Sequence, residues 1–202
     1  MKKVILASSS PRRCALLNQM GIDFDIIPSH IDEDIFCHLK GDNLVKALSK
    51  EKAFKVFNNV KQHTNNVCVI GCDTIVSIND KILDKPKDKQ DALNMLLDLN
   101  NNMHTVFTGL SLIGLKDGTY FEDTICSLSN VYFSNFSRDE LLAYVNTLEP
   151  MDKAGAYGIQ GKGGFLVSKI EGDFYSIMGL PINNLYNMLK KYDFLRYKNF
   201  TN

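Results

Sequence analysis

The chain has 202 residues, of which 45% are hydrophobic and 23% charged, so one domain or two small lobes can bury a core without disulfides or a structural metal. The 23 basic and 23 acidic side chains cancel, which excludes a highly charged disordered chain and makes electrostatic binding to nucleic acid unexpected. Five cysteines without a C-x-x-C pair argue against a disulfide framework and a zinc ribbon. With no membrane-length apolar run and no secretion signal, we expect a cytoplasmic protein without membrane or nucleic-acid partners.

Hydrophobic periodicity and capping residues predict alternating strands and helices in the first hundred residues. The predicted strands are residues 4–8, 24–27 and 67–78, and a turn at Asn79-Asp80 leads from the last of them to residues 82–86. The predicted helices are residues 10–20, with Ser10 as N-cap and Pro11 in the first turn, 42–60 and 89–99. Residues 32–34 are predicted to form an acidic loop.

The second half contains longer strands and more glycine. We predict two long strands joined by a turn at Asp117-Gly118, a helix with a capping box, a glycine-rich loop, a second hairpin and a final helix. The two long strands are residues 105–115 and 120–133, and the helix with the capping box is 137–148. The glycine-rich loop is 152–164, the second hairpin is 165–170 with 174–178, and the final helix includes 185–192. The pattern predicts an α/β fold with a mixed twisted sheet flanked by helices.

The segment from Ala7 to Arg13 joins the first strand to the first helix and combines three serines with two arginines. Free backbone N–H groups and the positive end of the helix dipole suit an anion there, and guanidinium groups add bidentate donors. Cations at a helix start oppose the dipole, which favours a functional use. An ordinary N-cap with solvated arginines is the alternative.

Two charged residues interrupt apolar patterns. Asp73 lies within the most hydrophobic predicted strand, where a carboxylate is costly unless it is paired or bound to metal. Carboxylates from separate elements, such as Asp73 and the acidic loop, are how proteins hold Mg²⁺ beside phosphate. Lys52 shares the helical row of Leu48 and Val56. For Asp73, the alternative to a functional role is that it lies at the strand end and caps a turn. For Lys52, the alternative is that its apolar stem extends past the edge of the core and places the ammonium in solvent.

The loop at residues 152–164 holds five of the 13 glycines. Clustered glycine lets the backbone approach a ligand closely, and Gln160 has both the donor and the acceptor needed to read a base edge. A merely flexible loop has the same composition. The dinucleotide and P-loop fingerprints are absent.

Together these segments resemble the motifs of the Maf-like nucleoside triphosphate pyrophosphatases, in family order over about residues 4–190. The matching stretches are LASSSPRR (6–13), Asp32-Glu33, Lys52-Ala53, GCDTIV (71–76), Asp84-Lys85-Pro86, DKAGAYGIQGKGG (152–164) and MGLPI (178–182). One departure is Ser129, where the family usually has threonine, so a hydroxyl is kept.

The resemblance implies a single Maf-like domain over residues 1–202, with the two lobes and central cleft of Maf and inosine triphosphatase-like folds. It also implies hydrolysis of a nucleoside triphosphate to the monophosphate and pyrophosphate with a divalent metal, Mg²⁺ or Mn²⁺. The Ala-Tyr-Gly-Ile-Gln-Gly form of the late loop resembles the dTTP/UTP branch.

The resemblance also assigns roles to individual residues. Asp73 is the expected proton acceptor, and Glu33 and Asp73 are the expected metal ligands. The residues expected to bind substrate are Ser8, Ser10, Arg12, Arg13, Lys52, Thr74, Lys85 and Gln160. Among them Arg12, Thr74 and Gln160 match the positions that select a pyrimidine.

Two other functions stay open. The first is a nucleotide-binding regulator, for example of cell division, that needs no catalysis. The second is the same chemistry on a methylated guanosine triphosphate, which the Gly-Ile-Gln-Gly sequence disfavours. Exposed strand edges are compatible with a homodimer.

Overall fold

The computed structural model describes residues 2–195 and Tyr197. The strands are β1 (Lys3–Leu6), β2 (Asp25–Ile26), β3 (Val67–Ile78), β4 (Lys81–Leu83), β5 (Met103–Lys116), β6 (Thr119–Phe133) and β7 (Val167–Glu171). The α-helices are α1 (Pro11–Gln19), α2 (Gly41–Val60), α3 (Lys89–Leu99), α4 (Arg138–Val145), α5 (Phe174–Met178) and α6 (Ile182–Lys191). Among these residues no helix is both long and apolar enough to cross a bilayer.

The strands form a seven-stranded mixed sheet in the order β2-β1-β3-β5-β6-β7, and β4 pairs with β3. β1 runs parallel to both β2 and β3, whereas β4 is antiparallel to β3 and β7 to β6. All but two residues of β3 are buried, because an interior strand covered on both faces is apolar along its length. The predicted α/β fold with a mixed sheet flanked by helices is confirmed.

The described residues divide into two compact units, each with its own packing. The first unit takes residues within 1–73, 108–127 and 179–202, and the second takes 74–107 and 128–178. Three strands, β3, β5 and β6, contribute residues to both units. On β3 the boundary falls between Asp73 and Thr74.

In the first unit, α2 packs directly on β3 at Gly71. A Cβ added at Gly71 would lie 2.0 Å from the Ser49 carbonyl oxygen and 2.8 Å from the Ala53 nitrogen, both backbone atoms of α2. Glycine is required here because any side chain would force the helix and the strand apart. This approach places Lys52, between those two helix residues in sequence, against the middle of β3.

One prediction of local structure was wrong, and two predicted loops contain short helical turns. The second hairpin is absent, because β7 pairs with β6 and residues 174–178 form a short helix. That helix begins where the Asp173 carboxylate accepts a hydrogen bond from the Tyr175 N–H at 2.9 Å, a local cap that the strand-like composition conceals. The acidic loop contains a 3₁₀ turn at Glu33–Phe36, and the glycine-rich loop contains 3₁₀ turns at Ala154–Ala156 and Lys162–Leu166.

The core of the second unit contains a buried histidine. His104 packs edge-on against Phe133 and Tyr157, with ring centroids 5.0 and 5.3 Å away, and its Nε2 hydrogen-bonds with the Tyr157 hydroxyl at 2.9 Å. In the described part of the chain its Nδ1 has no partner. Burial lowers the pKa of His104 from 6.5 to about 4, so the imidazole is neutral in the folded protein.

This histidine makes the protein less stable in acid. Between about pH 6.5 and pH 4, His104 is protonated in the unfolded chain but neutral in the folded chain. The free energy of unfolding therefore decreases by roughly 3 kcal/mol as the pH is lowered through this range. We expect His104→Gln to remove most of this pH dependence, as measured by urea unfolding between pH 7 and pH 4.5. The exposed His63 provides the control, since His63→Gln should keep the wild-type slope. Equal slopes in both variants would contradict the assignment.

Candidate active site

The junction between β1 and α1 is organised around the Ser8 hydroxyl. Ser8 is 9% exposed, and its Oγ accepts hydrogen bonds from Arg13 Nη1 at 3.1 Å and from the Ser10 N–H at 3.2 Å. Arg13 Nε donates to the Gly179 carbonyl at 2.9 Å. Arg13 is therefore held in place by protein atoms. Its partly buried guanidinium lies in the first turn of α1, where backbone N–H groups and cationic charge suit an anion.

One detail of this junction differs from the sequence prediction. Ser10 is the N-cap residue of α1, but its side chain makes no capping hydrogen bond, and its backbone N–H donates to the Ser8 hydroxyl. Arg12 precedes Arg13 in the same turn and is half-buried.

The second feature is an ammonium group between two carboxylates. Lys52 Nζ lies 2.6 Å from Asp73 Oδ1 and 2.7 Å from Glu33 Oε1. The Lys52 and Asp73 side chains are only 12% and 10% exposed, whereas that of Glu33 is 56% exposed. Asp73 lies within β3 and not at its end, so it does not cap a turn. Lys52 points at Asp73 and not past the core edge.

Charges from both features reach the same stretch of β3. Burial raises the pKa of the Cys72 thiol to about 11; the positive charges of Arg13 and Lys52 oppose the rise, and the Asp73 carboxylate adds to it. The guanidinium, the ammonium and the carboxylate therefore lie close enough to act on one buried side chain. Cationic groups and a carboxylate gathered in this way can bind a polyanion and accept a proton beside it.

The carboxylates of Glu33 and Asp73 fit a divalent cation by the chemistry of their oxygens. They come from separate elements, and their shared neighbour is already a cation, the Lys52 ammonium. Searching the described residues finds no group of three or more His, Cys, Asp or Glu side chains arranged around a metal position. A bound Mg²⁺ would therefore complete its shell with water and phosphate oxygens, as this ion usually does.

The remaining predicted residues, Thr74, Lys85 and Gln160, belong to the second unit. Lys85 is exposed just after β4, and Gln160 is exposed in the glycine-rich loop. The Gly155 N–H donates to the Asp84 carbonyl at 3.2 Å. The structure thus joins the start of this loop to the residue preceding Lys85.

Sequence reasoning missed two contributors. Gly179 supplies the carbonyl that accepts a hydrogen bond from Arg13. It belongs to the MGLPI motif, which matched the family but did not indicate what Gly179 does. Glu149 accepts hydrogen bonds from the backbone of the glycine-rich loop, and no spacing rule predicts such contacts.

The site combines backbone donors and a guanidinium at a strand-to-helix junction with two carboxylates, one on a strand and one in a 3₁₀ turn, that share a lysine. Such a combination on a mixed sheet is typical of α/β proteins that bind phosphorylated ligands. The chain belongs to the Maf family, since the family model described as Maf-like protein matches residues 3–192. This confirms the resemblance seen in the motifs.

Relatives match over nearly the whole chain. The dTTP/UTP pyrophosphatase of Acetivibrio thermocellus is 45% identical over 195 residues, covering 95% of this chain and 96% of the relative. The dTTP/UTP pyrophosphatase of Caldicellulosiruptor bescii is 44% identical over 199 residues, covering 97% and 98%. That of Clostridium botulinum is 46% identical over 192 residues, covering 94% and 96%.

Proposed function

We propose that this chain hydrolyses dTTP and UTP to the nucleoside monophosphate and pyrophosphate. The observation that carries the proposal is the buried Lys52–Asp73 ion pair, near the Arg13–Ser8 contact, in a chain about 45% identical to dTTP/UTP pyrophosphatases. The activity requires cationic groups for a triphosphate and a carboxylate that can take a proton, and the first unit supplies both.

The cationic side chains act mainly on the phosphates. Arg13 and Lys52, with the backbone N–H groups of residues 8–10, neutralise negative charge on the triphosphate, and Lys85 adds a further positive charge. Their effect is largest on the leaving pyrophosphate, which gains charge as the bond to the α-phosphorus breaks. Because Arg13 and Lys52 are already held by hydrogen bonds and ion pairs, little reorganisation is needed when substrate binds.

Asp73 is the proposed proton acceptor. Water attacks the α-phosphorus, the new P–O bond forms as the bond to the β-phosphate bridging oxygen breaks, and the water proton passes to the Asp73 carboxylate. The Lys52 ammonium, 2.6 Å from Asp73 Oδ1, offsets part of the cost of burying this carboxylate.

The carboxylates of Glu33 and Asp73 are proposed to hold Mg²⁺ or Mn²⁺ together with the substrate phosphates. Such an ion, when bound, neutralises phosphate charge and makes a coordinated water more acidic.

Selection of a pyrimidine is assigned to Arg12, Thr74 and Gln160. Gln160 offers an amide donor and a carbonyl acceptor, which can pair with the acceptor and donor on a uracil or thymine edge. Thr74 follows Asp73 directly in β3, so the proposed base selection and the proposed proton transfer use adjacent residues of one strand. The cytoplasmic location and the homodimer remain predictions.

A panel of nucleoside triphosphates tests this function. With Mg²⁺ or Mn²⁺ present, we expect dTTP and UTP to be hydrolysed at least tenfold faster than ATP or GTP, with pyrophosphate as product and with loss of activity in EDTA. The measurements are pyrophosphate and orthophosphate release for each nucleotide. Orthophosphate as the main product would place the attack at the γ-phosphorus and contradict the proposal. Binding without turnover would favour the nucleotide-binding regulator, and preference for a methylated guanosine triphosphate would contradict the pyrimidine assignment.

A further inference from the structure

The glycine-rich loop, residues 152–164, is folded around a carboxylate and a phenol that the proposed chemistry does not use. Glu149 Oε2 accepts the Lys162 N–H at 2.9 Å, and Oε1 accepts the Gly163 N–H at 3.0 Å. Oε1 also accepts the Tyr144 hydroxyl at 3.0 Å, and that hydroxyl in turn accepts the Gly158 N–H at 3.1 Å. The pair therefore binds backbone on both sides of residue 160.

A side chain added to the loop next to this pair would overlap the pair in its present position. A Cβ added at Gly161 would lie 2.6 Å from each Glu149 carboxylate oxygen, and one at Gly163 would lie 2.4 Å from the Tyr144 hydroxyl. The φ of Gly161 is −99°, an extended conformation that any residue adopts. An alanine at position 161 would therefore have to displace the Glu149 carboxylate, whereas its backbone angles would not be strained.

The charge state of Glu149 suits it to hold backbone N–H groups. Partial burial raises the pKa of Glu149, but hydrogen bonds from the Gly163, Lys162 and Tyr144 donors outweigh it, so the pKa lies below its ordinary value. An ionised carboxylate makes the stronger hydrogen bonds. Burial raises the pKa of Tyr144, so its hydroxyl keeps the proton that it donates to Glu149.

Gln160 needs such external support because it is itself exposed. Neither burial nor a regular helix or strand fixes its backbone, and its neighbours Gly158 and Gly161 are the most flexible residue type. Three hydrogen bonds from the loop backbone to the Glu149–Tyr144 pair, at residues 158, 162 and 163, lie within three residues of Gln160 and restrict the conformations that this segment can adopt.

We propose that Glu149 and Tyr144 are positioning residues that set the base selectivity of the enzyme by holding the loop that carries Gln160. The inference rests on the proposed function, since it deepens the role given there to Gln160. In the proposed function, neither Glu149 nor Tyr144 touches the reacting atoms. Loss of the pair should therefore weaken discrimination between bases more than it weakens turnover of the preferred nucleotide.

The experiment compares Glu149→Ala, Glu149→Gln and Tyr144→Phe with a matched control, Glu140→Gln. Glu140 forms the capping box of α4, where it accepts from Ser137, so its variant tests loss of stability in the same unit without touching the loop. Selectivity is measured as the ratio of kcat/KM for dTTP to that for GTP. It is measured again as the ratio of Kd values for non-hydrolysable analogues of the two nucleotides. Amide hydrogen exchange at residues 158–163 measures how firmly the backbone of the loop is held.

We expect Glu149→Ala to lower both selectivity ratios about tenfold, as the loss of charge-assisted hydrogen bonds implies, while kcat for dTTP changes less than about threefold. Exchange at Gly158, Lys162 and Gly163 should become faster. Glu149→Gln keeps one acceptor oxygen and should fall between wild type and Glu149→Ala. Glu140→Gln should leave the ratios and the loop exchange unchanged.

A double variant provides a test internal to the loop. Gly161→Ala should impair selectivity because its methyl group meets the Glu149 carboxylate, and adding Glu149→Ala should make the double variant no worse than Glu149→Ala alone. Additive losses would overturn the inference.

Unchanged selectivity in Glu149→Ala would also overturn the inference, whether or not exchange becomes faster, as would equal losses in Glu140→Gln. Failure of the proposed function looks different, because wild type would then release no pyrophosphate. The Kd ratios and exchange rates would still decide the role of Glu149.

Discussion

Asp73→Asn is expected to lower pyrophosphate release from dTTP by about 100-fold or more while the protein stays folded, because an amide cannot accept the proton from water. The fold should survive for two reasons. The amide oxygen can still accept from Lys52, and Lys52 keeps its ion pair with Glu33 at 2.7 Å. The measurements are kcat for pyrophosphate release and the thermal unfolding midpoint of the variant.

Asp42→Asn is the matched control for this change. Asp42 pairs with Lys46 at 2.9 Å on the exposed side of α2, so its loss should leave kcat within a factor of about two. Near-normal turnover in Asp73→Asn would remove the role assigned to Asp73, and an unfolded variant would show that the ion pair is needed for stability.

Gly71→Ala is expected to lower the free energy of unfolding by about 3 kcal/mol or more, at the upper end for an overpacked core. The added methyl group would meet the Ser49 carbonyl oxygen at 2.0 Å. Because that atom is backbone, no side-chain rotation relieves the overlap. Urea unfolding of the purified variant measures the loss, and if no folded protein is obtained the effect is larger still.

The control for this prediction is Gly118→Asn in the turn between β5 and β6. A Cβ at Gly118 meets nothing within 4 Å, and its φ of +81° lies in the left-handed region that asparagine tolerates best after glycine. We expect a loss of about 1 kcal/mol or less there. A mild effect of Gly71→Ala, comparable with the control, would mean that α2 can move away from β3 at little cost.

Much of the architecture could be predicted from the sequence because it depends on local patterns. The bounds of β3 and α3 follow from continuous and periodic hydrophobicity, and the capping box of α4 from Ser137 and Glu140. The short helix α5 could not be predicted in this way. Its five residues are rich in aromatic side chains typical of strands, and what makes them helical is one carboxylate cap at Asp173.

In the candidate site, too, the residues that interrupt a local pattern could be predicted, whereas contacts between distant elements could not. Asp73 and Lys52 stood out as charges within apolar patterns, and the structure pairs them. That Lys52 is also the partner of Glu33 depends on how the 3₁₀ turn at Glu33–Phe36 lies against α2, which no local pattern contains. Glu149 left no trace in the sequence because the groups it binds are backbone N–H groups, which every residue except proline carries.

The contact between Arg13 and the Gly179 carbonyl joins residues 166 positions apart. During synthesis on the ribosome, the 165 residues between Arg13 and Gly179 must be added before the acceptor carbonyl is made. No amino-terminal fragment ending before residue 179 contains both partners. A product truncated before residue 179 therefore lacks this support for the guanidinium, and the first unit can be completed only after residue 179 has been made.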